Sequence, residues 1–100
     1  DQAIALRPRL APAYDNRAMI HITKGNYRAA IEDFDAALKL DPNYAPSLQS
    51  RGLAHERLGQ LAEAERDYRQ ALGVQPGDPS LKAALKRVRH RRAELAEDDA

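Results

Sequence analysis

The chain contains no cysteine, which excludes disulfides and thiolate chemistry and leaves the redox compartment open. No apolar run approaches the roughly 20 residues that a membrane helix requires, so a soluble protein with no membrane partner is expected. Neither sign of charge prevails: 16 Lys and Arg against 15 Asp and Glu give a formal net charge of +1. Nothing global therefore recommends a nucleic acid or a membrane surface as partner. There is no G-x-S-x-G, no glycine-rich phosphate loop and no H-E-x-x-H. The carboxylates sit mainly beside lysines and arginines, as on a solvated surface, so neither an enzyme nor a cofactor is expected. The first residue is Asp1, which leaves open a targeting segment upstream; the cytoplasm is the favoured compartment.

What the chain does have is repetition. Pro8, Pro42 and Pro76 recur at intervals of 34 residues, and the sets Ala3, Ala37, Ala71 and Ile4, Leu38, Leu72 and Leu6, Leu40, Val74 keep the same interval. A fixed period of this size marks one supersecondary unit used several times.

Each period reads as two helices. The stretch "APAYDNRAMIHITKG" opens on Pro12, whose fixed φ suits a first helical turn, and closes on Gly25, suited to a left-handed C-terminal position. The stretch "NYRAAIEDFDAALKLDP" places Tyr27, Ile31, Phe34 and Leu38 on one helical face and must end before Pro42. The second copy repeats both parts. Ala18 and Gly52 stand at matching places on the first helices, and Ala30, Ala64, Ala37 and Ala71 on the second. Residues this small let helix axes approach closely, while Tyr14, Phe34 and Tyr68 fill the wider gaps.

These residues resemble the tetratricopeptide repeat pattern, W-x2-L-G-x2-Y, then A-x3-F, A and P. Tyr14, Arg17, Ala18, His21, Ala30, Phe34, Ala37 and Pro42 answer it once; Leu48, Arg51, Gly52, His55, Ala64, Tyr68, Ala71 and Pro76 answer it again. The arginines replace the usual leucine and the histidines the usual tyrosine. The resemblance implies an all-α fold, an α-solenoid of helical hairpins with a C-terminal capping helix. The expected organisation is a single domain fragment: the end of a truncated repeat at 1–10, repeats at 11–44 and 45–78, a capping helix at 79–97 opening on Ser80 as N-cap, and an acidic tail at 98–100. Helices are expected near 12–24, 27–40, 46–58, 61–74 and 79–95, after a short helical remnant.

The function implied is an interaction scaffold, with a peptide or partner helix held on a concave face lined by the first helices. Carried over position by position, the groove residues are Asp15, Asn16, Met19, Ile22 and Thr23, then Gln49, Ser50, Leu53, Glu56 and Arg57. Ala83, Ala84, Arg87 and His90 extend that surface along the cap. Some family members clamp the C-terminal carboxylate of heat-shock chaperones with lysines, asparagines and arginine. Asn16 suits one clamp position, but Asp15 stands where a lysine would be and Met19 where an asparagine would be. An acid there repels a ligand carboxylate, so this ligand is not expected.

Other features carry weaker expectations. Lys82, Lys86, Arg87, Arg89, Arg91 and Arg92 form a basic patch with no acid between 79 and 93, followed by Glu94, Glu97, Asp98 and Asp99. It reads either as a docking site for an acidic surface or nucleic acid, or as a solvated cap whose cations suit the C-terminal end of a helix. Nucleic acid is disfavoured, because no aromatic side chain is interleaved for base stacking. His21 and His55 lie one period apart, but the matching third position holds Arg89, so packing is expected rather than a metal site. Arg17 with Asp33, and Arg51 with Asp67, are expected as ion pairs that fix hairpin register. Finally, Ile4, Leu6 and Leu10 form an uncovered apolar edge, through which the fragment is expected to self-associate.

Overall fold

Glycine at two places sets the hairpins. Gly25 and Gly59 have positive φ, 77° and 78°, a region glycine enters without the Cβ penalty. The following amides turn back: Asn26 N–H donates to the His21 carbonyl and Gln60 N–H to the His55 carbonyl, both at 2.8 Å. These bonds satisfy carbonyls that the helix end would otherwise orphan. The computed structural model describes residues 2–99, and the side chains of 10–97. Its elements are α1 (Gln2–Thr23), α2 (Tyr27–Leu40), α3 (Ala45–Arg57), α4 (Leu61–Val74) and α5 (Pro79–Asp99), with no strand among the described residues.

The turns between hairpins are made by acids near the prolines. Asp41 Oδ1 accepts from the Asn43 amide at 3.3 Å, and Asp78 Oδ1 accepts from the Leu81 amide at 3.1 Å. The N-cap of α5 is therefore Asp78 rather than Ser80, with Pro79 at the first helical position, where its missing N–H costs nothing. α1 differs from expectation more deeply. It continues from Gln2 through Pro8 and Pro12 to Thr23, so the remnant and the first full helix are one element. The places that match Asp41 and Asp78 hold Arg7 and Leu10 there, and neither supplies a carboxylate to hold a turn. The side chains of Ile4 and Leu6, on which the self-association expectation rests, lie outside the described residues; Leu10 is exposed.

Packing follows the small residues. In the first hairpin Ala18, Ala30 and Phe34 are buried against one another, with Ile22 packed alongside. In the second, a Cβ on Gly52 would lie 2.8 Å from Tyr68 Cε1, so the aromatic ring lies directly on the α3 backbone. Leu38, Leu48, Tyr68, Ala71, Leu81, Leu85 and Val88 then join α2, α3, α4 and α5 in one apolar core. The first helices α1, α3 and α5 thus form one layer and α2 and α4 the other.

Candidate functional site

Two repeated clusters position the first helices. Arg17 Nε and Nη2 donate to the two carboxylate oxygens of Asp33 at 2.8 and 2.6 Å, and Arg51 Nε and Nη2 donate to those of Asp67 at 2.9 and 2.7 Å. These are the ion pairs read from the sequence, and each is bidentate. Each histidine sits on the same aspartate: His21 Nε2 lies 3.6 Å from Asp33 Oδ2, and His55 Nε2 lies 3.8 Å from Asp67 Oδ2. Among the described residues no three His, Asp or Glu side chains gather as a metal site.

The two clusters differ at one atom. His55 Nδ1 bonds Gln60 Oε1 at 2.7 Å, whereas His21 Nδ1 is buried with no partner. The residue that matches Gln60 is Asn26, one methylene shorter. An unsatisfied buried polar atom costs about 1–3 kcal/mol. Asn26→Gln is accordingly expected to raise stability by about 1 kcal/mol in urea denaturation. A neutral or destabilising result would show that the longer amide does not reach the ring.

The expected groove residues do not share one site. Gln49, Ser50, Leu53 and Arg87 come together with Tyr68, Ser80 and Ala84 around a hollow of about 280 Å³ between α3 and α5. Asn16 and Met19 are exposed farther along on α1, and Ile22 is half-buried against Phe34. Asp15 is 9% exposed and accepts from Ser47 Oγ at 2.7 Å. It is a tie between α1 and α3 and not a free groove contact. His90 faces the opposite side of α5, where it borders a separate cleft.

Glu56 is the electrostatic centre beside the hollow. Arg87 Nε and Nη2 donate to Glu56 Oε2 and Oε1 at 2.7 and 2.8 Å, and the Tyr68 hydroxyl donates to Oε1 at 2.9 Å. Burial and the neighbouring carboxylate push the Tyr68 hydroxyl well above its ordinary range. The sequence expectation treated Glu56 and Arg87 as separate contacts; the fold pairs them.

Three carboxyls are held below their usual range: Glu56 chiefly by hydrogen bonding from Arg87, Asp33 from Arg17, and Glu65 from Arg92. A carboxyl depressed in the folded state binds fewer protons there than in the unfolded chain. Its stabilisation is therefore present above the unfolded values, about 4, and lost as pH falls through the folded ones. Unfolding free energy should decline steadily below about pH 4.5. Glu56→Gln should flatten that decline and cost about 1 kcal/mol at neutral pH. An unchanged acid slope in that variant would exclude Glu56 as a contributor.

The basic patch is partly spent within the molecule. Besides the Arg87 pair, Arg92 Nη1 lies 2.6 Å and Arg89 Nε 3.7 Å from Glu65 carboxylate oxygens. Among the described residues Lys82, Lys86 and Arg91 have no carboxylate within ion-pair distance. No described helix is long and apolar enough to cross a membrane.

Stacked antiparallel hairpins with an open first-helix face define a helical-repeat solenoid. A sequence profile of the tetratricopeptide repeat matches residues 16–80, and the chain belongs to that family. Solved structures agree. The second such domain of human RPAP3, in complex with the HSP70 peptide SGPTIEEVD, is 32% identical with a TM-score of 0.75, covering 79% of this chain and 66% of that one. The Arabidopsis OM64 domain is 32% identical with a TM-score of 0.78, covering 81% and 67%. The C-terminal domain of a putative FK506-binding protein of Plasmodium falciparum shares the fold at 22% identity, with a TM-score of 0.86 over 97% of this chain and 66% of that one. The chain thus spans about two thirds of the length of these chains. No curated protein matches it in sequence.

Proposed function

We propose that the chain is a protein-interaction module that holds a peptide segment along the face of α1, α3 and α5, anchored in the hollow between α3 and α5. The hollow carries this reading. Ser50, Ser80 and Ala84 are too small to fill it, Leu53 gives it an apolar wall, and Gln49 supplies a side-chain donor and acceptor for a peptide backbone. A volume of about 280 Å³ suits one aliphatic side chain rather than a whole ligand.

Electrostatics argue against an acidic C-terminal tail as the anchor. Arg87 is committed to Glu56, Asp15 stays on the same layer, and Met19 offers no cation. Selection from a random peptide library followed by calorimetry tests the reading. Selected peptides should share an aliphatic anchor and lose at least about tenfold in affinity with Leu53→Glu and with Ser80→Trp. Melting temperatures should change little, because both positions are only partly buried or exposed. The peptide SGPTIEEVD should not bind measurably. Unchanged binding in both variants, or tight binding of that peptide, would overturn the proposal.

A further inference from the structure

The face of α5 turned away from the hollow carries a second, larger cleft, about 850 Å³, with Leu72 and Leu85 among its lining and Lys82, Lys86 and Arg89 along it. The repeat itself says what shape belongs there. α2 packs on α1 at Ala18 and α4 packs on α3 at Gly52, through Phe34 and Tyr68 respectively. One period after Gly52 the matching residue is Lys86, which is exposed and lines the cleft. The cleft is therefore the place on α5 that corresponds to the seat of an antiparallel second helix, and no described helix fills it.

Its chemistry differs from the two filled seats. Lys82 replaces Leu48, Lys86 replaces Gly52 and Arg89 replaces His55, while the ion-pairing Arg51 is replaced by Leu85. A small-residue seat with a paired arginine has become a cleft with Leu85 in its floor, Lys86 at the place of closest helix contact, and Lys82 and Arg89 to either side. Lys82 and Lys86 have no carboxylate partner among the described residues, and Arg89 only the 3.7 Å contact with Glu65. We infer that this seat receives, in trans, an amphipathic α-helix of another protein that carries acids along the edge of its apolar stripe. The seat is separate from the hollow on the concave face, and the inference stands independently of the peptide proposed there. Desolvated leucines give such a helix its affinity, and the lysines select an acidic edge and speed its encounter.

The test uses a probe derived from α4, the helix that fills the corresponding seat on α3. A capped 14-residue peptide of residues 61–74 carrying Asp67→Leu, Tyr68→Glu and Ala71→Glu presents leucine to Leu85 and acids to Lys86 and Lys82. The unaltered peptide serves as control. Both are too short to be stably helical alone, so gain of helicity on titration reports seating. The expected result is helix gain with the altered peptide only, with amide shifts of the labelled protein centred on Ala83, Lys86 and His90. Affinity should fall about tenfold in Lys82→Glu/Lys86→Glu and stay unchanged in Leu53→Glu, which separates this seat from the hollow.

Equal binding of both peptides, or shifts confined to the concave face, would overturn the inference. So would a duplex oligonucleotide that binds through the same lysines while the peptide does not, since the patch would then be a phosphate site. Concentration-dependent sedimentation of the protein alone, abolished by Lys82→Glu/Lys86→Glu, would also overturn it, because the seat would then belong to a second copy.

Discussion

Asp67→Ala is expected to lower stability by about 3 kcal/mol, whereas Asp33→Ala, the same change one repeat earlier, should cost far less. Both carboxylates accept two bonds from an arginine, so geometry does not separate them. Burial does. The Arg51 side chain is 22% exposed and Arg17 is 62% exposed. Removing Asp67 strands a largely enclosed guanidinium, which Asp35 at 2.8 Å, itself half exposed, compensates only in part. Removing Asp33 merely releases Arg17 to water, where it already lies over the Tyr14 ring. Leu85 occupies the place of Arg51 one period later, so Arg51→Leu with Asp67→Ala should recover much of the loss, as replacing a buried pair by apolar groups often does. Equal costs for the two single variants in urea denaturation would show that enclosure of the arginine is not what decides.

The second large effect is at Gly52. Alanine is the better helix former by about 1 kcal/mol, yet Gly52→Ala should be destabilising by about 2 kcal/mol, because the new methyl would meet three Tyr68 ring atoms at 2.8 to 3.1 Å. The ring cannot easily withdraw, since its hydroxyl is held by Glu56. In the first hairpin the matching pair is Ala18 with Phe34, where the methyl is accommodated against a ring without a hydroxyl. Tyr68→Phe should therefore relieve Gly52→Ala, with a coupling of about 1 kcal/mol in a double-mutant cycle. Strict additivity would mean that the hydroxyl does not fix the ring.

Glycine and proline made the hairpins legible in the sequence. Their steric demands act within a few residues, so the bounds of α2 and α4 and the left-handed turn at Gly25 could be read from local chemistry alone. The Arg17 and Arg51 pairs were legible because periodicity supplied the register. The continuity of α1 was not, because the repeat suggested a turn where Arg7 and Leu10 cannot hold one. At the site, the first-helix positions were visible from the period, but their commitments were not. Glu56 meets Arg87 from 31 residues away and Asp15 meets Ser47 from 32, so both pairings depend on how hairpins stack rather than on how either is built. The orphaned Nδ1 of His21 had a faint signal, Asn26 in the place of Gln60, which only the geometry of the second repeat made readable.

Two side-chain pairs tie α3 to the first hairpin. Ser47 donates to Asp15 on α1, and Arg51 reaches Asp35 on α2 while holding Asp67 on α4. α3 is thus tied to both helices of the preceding hairpin, and shifting it against either one stretches a tie. An array that flexed freely here would behave as a spring, closing around whatever it met and losing entropy as it did. A junction in which one helix is tied to both helices of its neighbour behaves as a stiff former instead, with its angle already set before any ligand arrives. Binding to the concave face should then leave the amide-exchange rates at the α2 to α3 junction nearly unchanged, and discrimination between ligands should come from misfit rather than from adaptation.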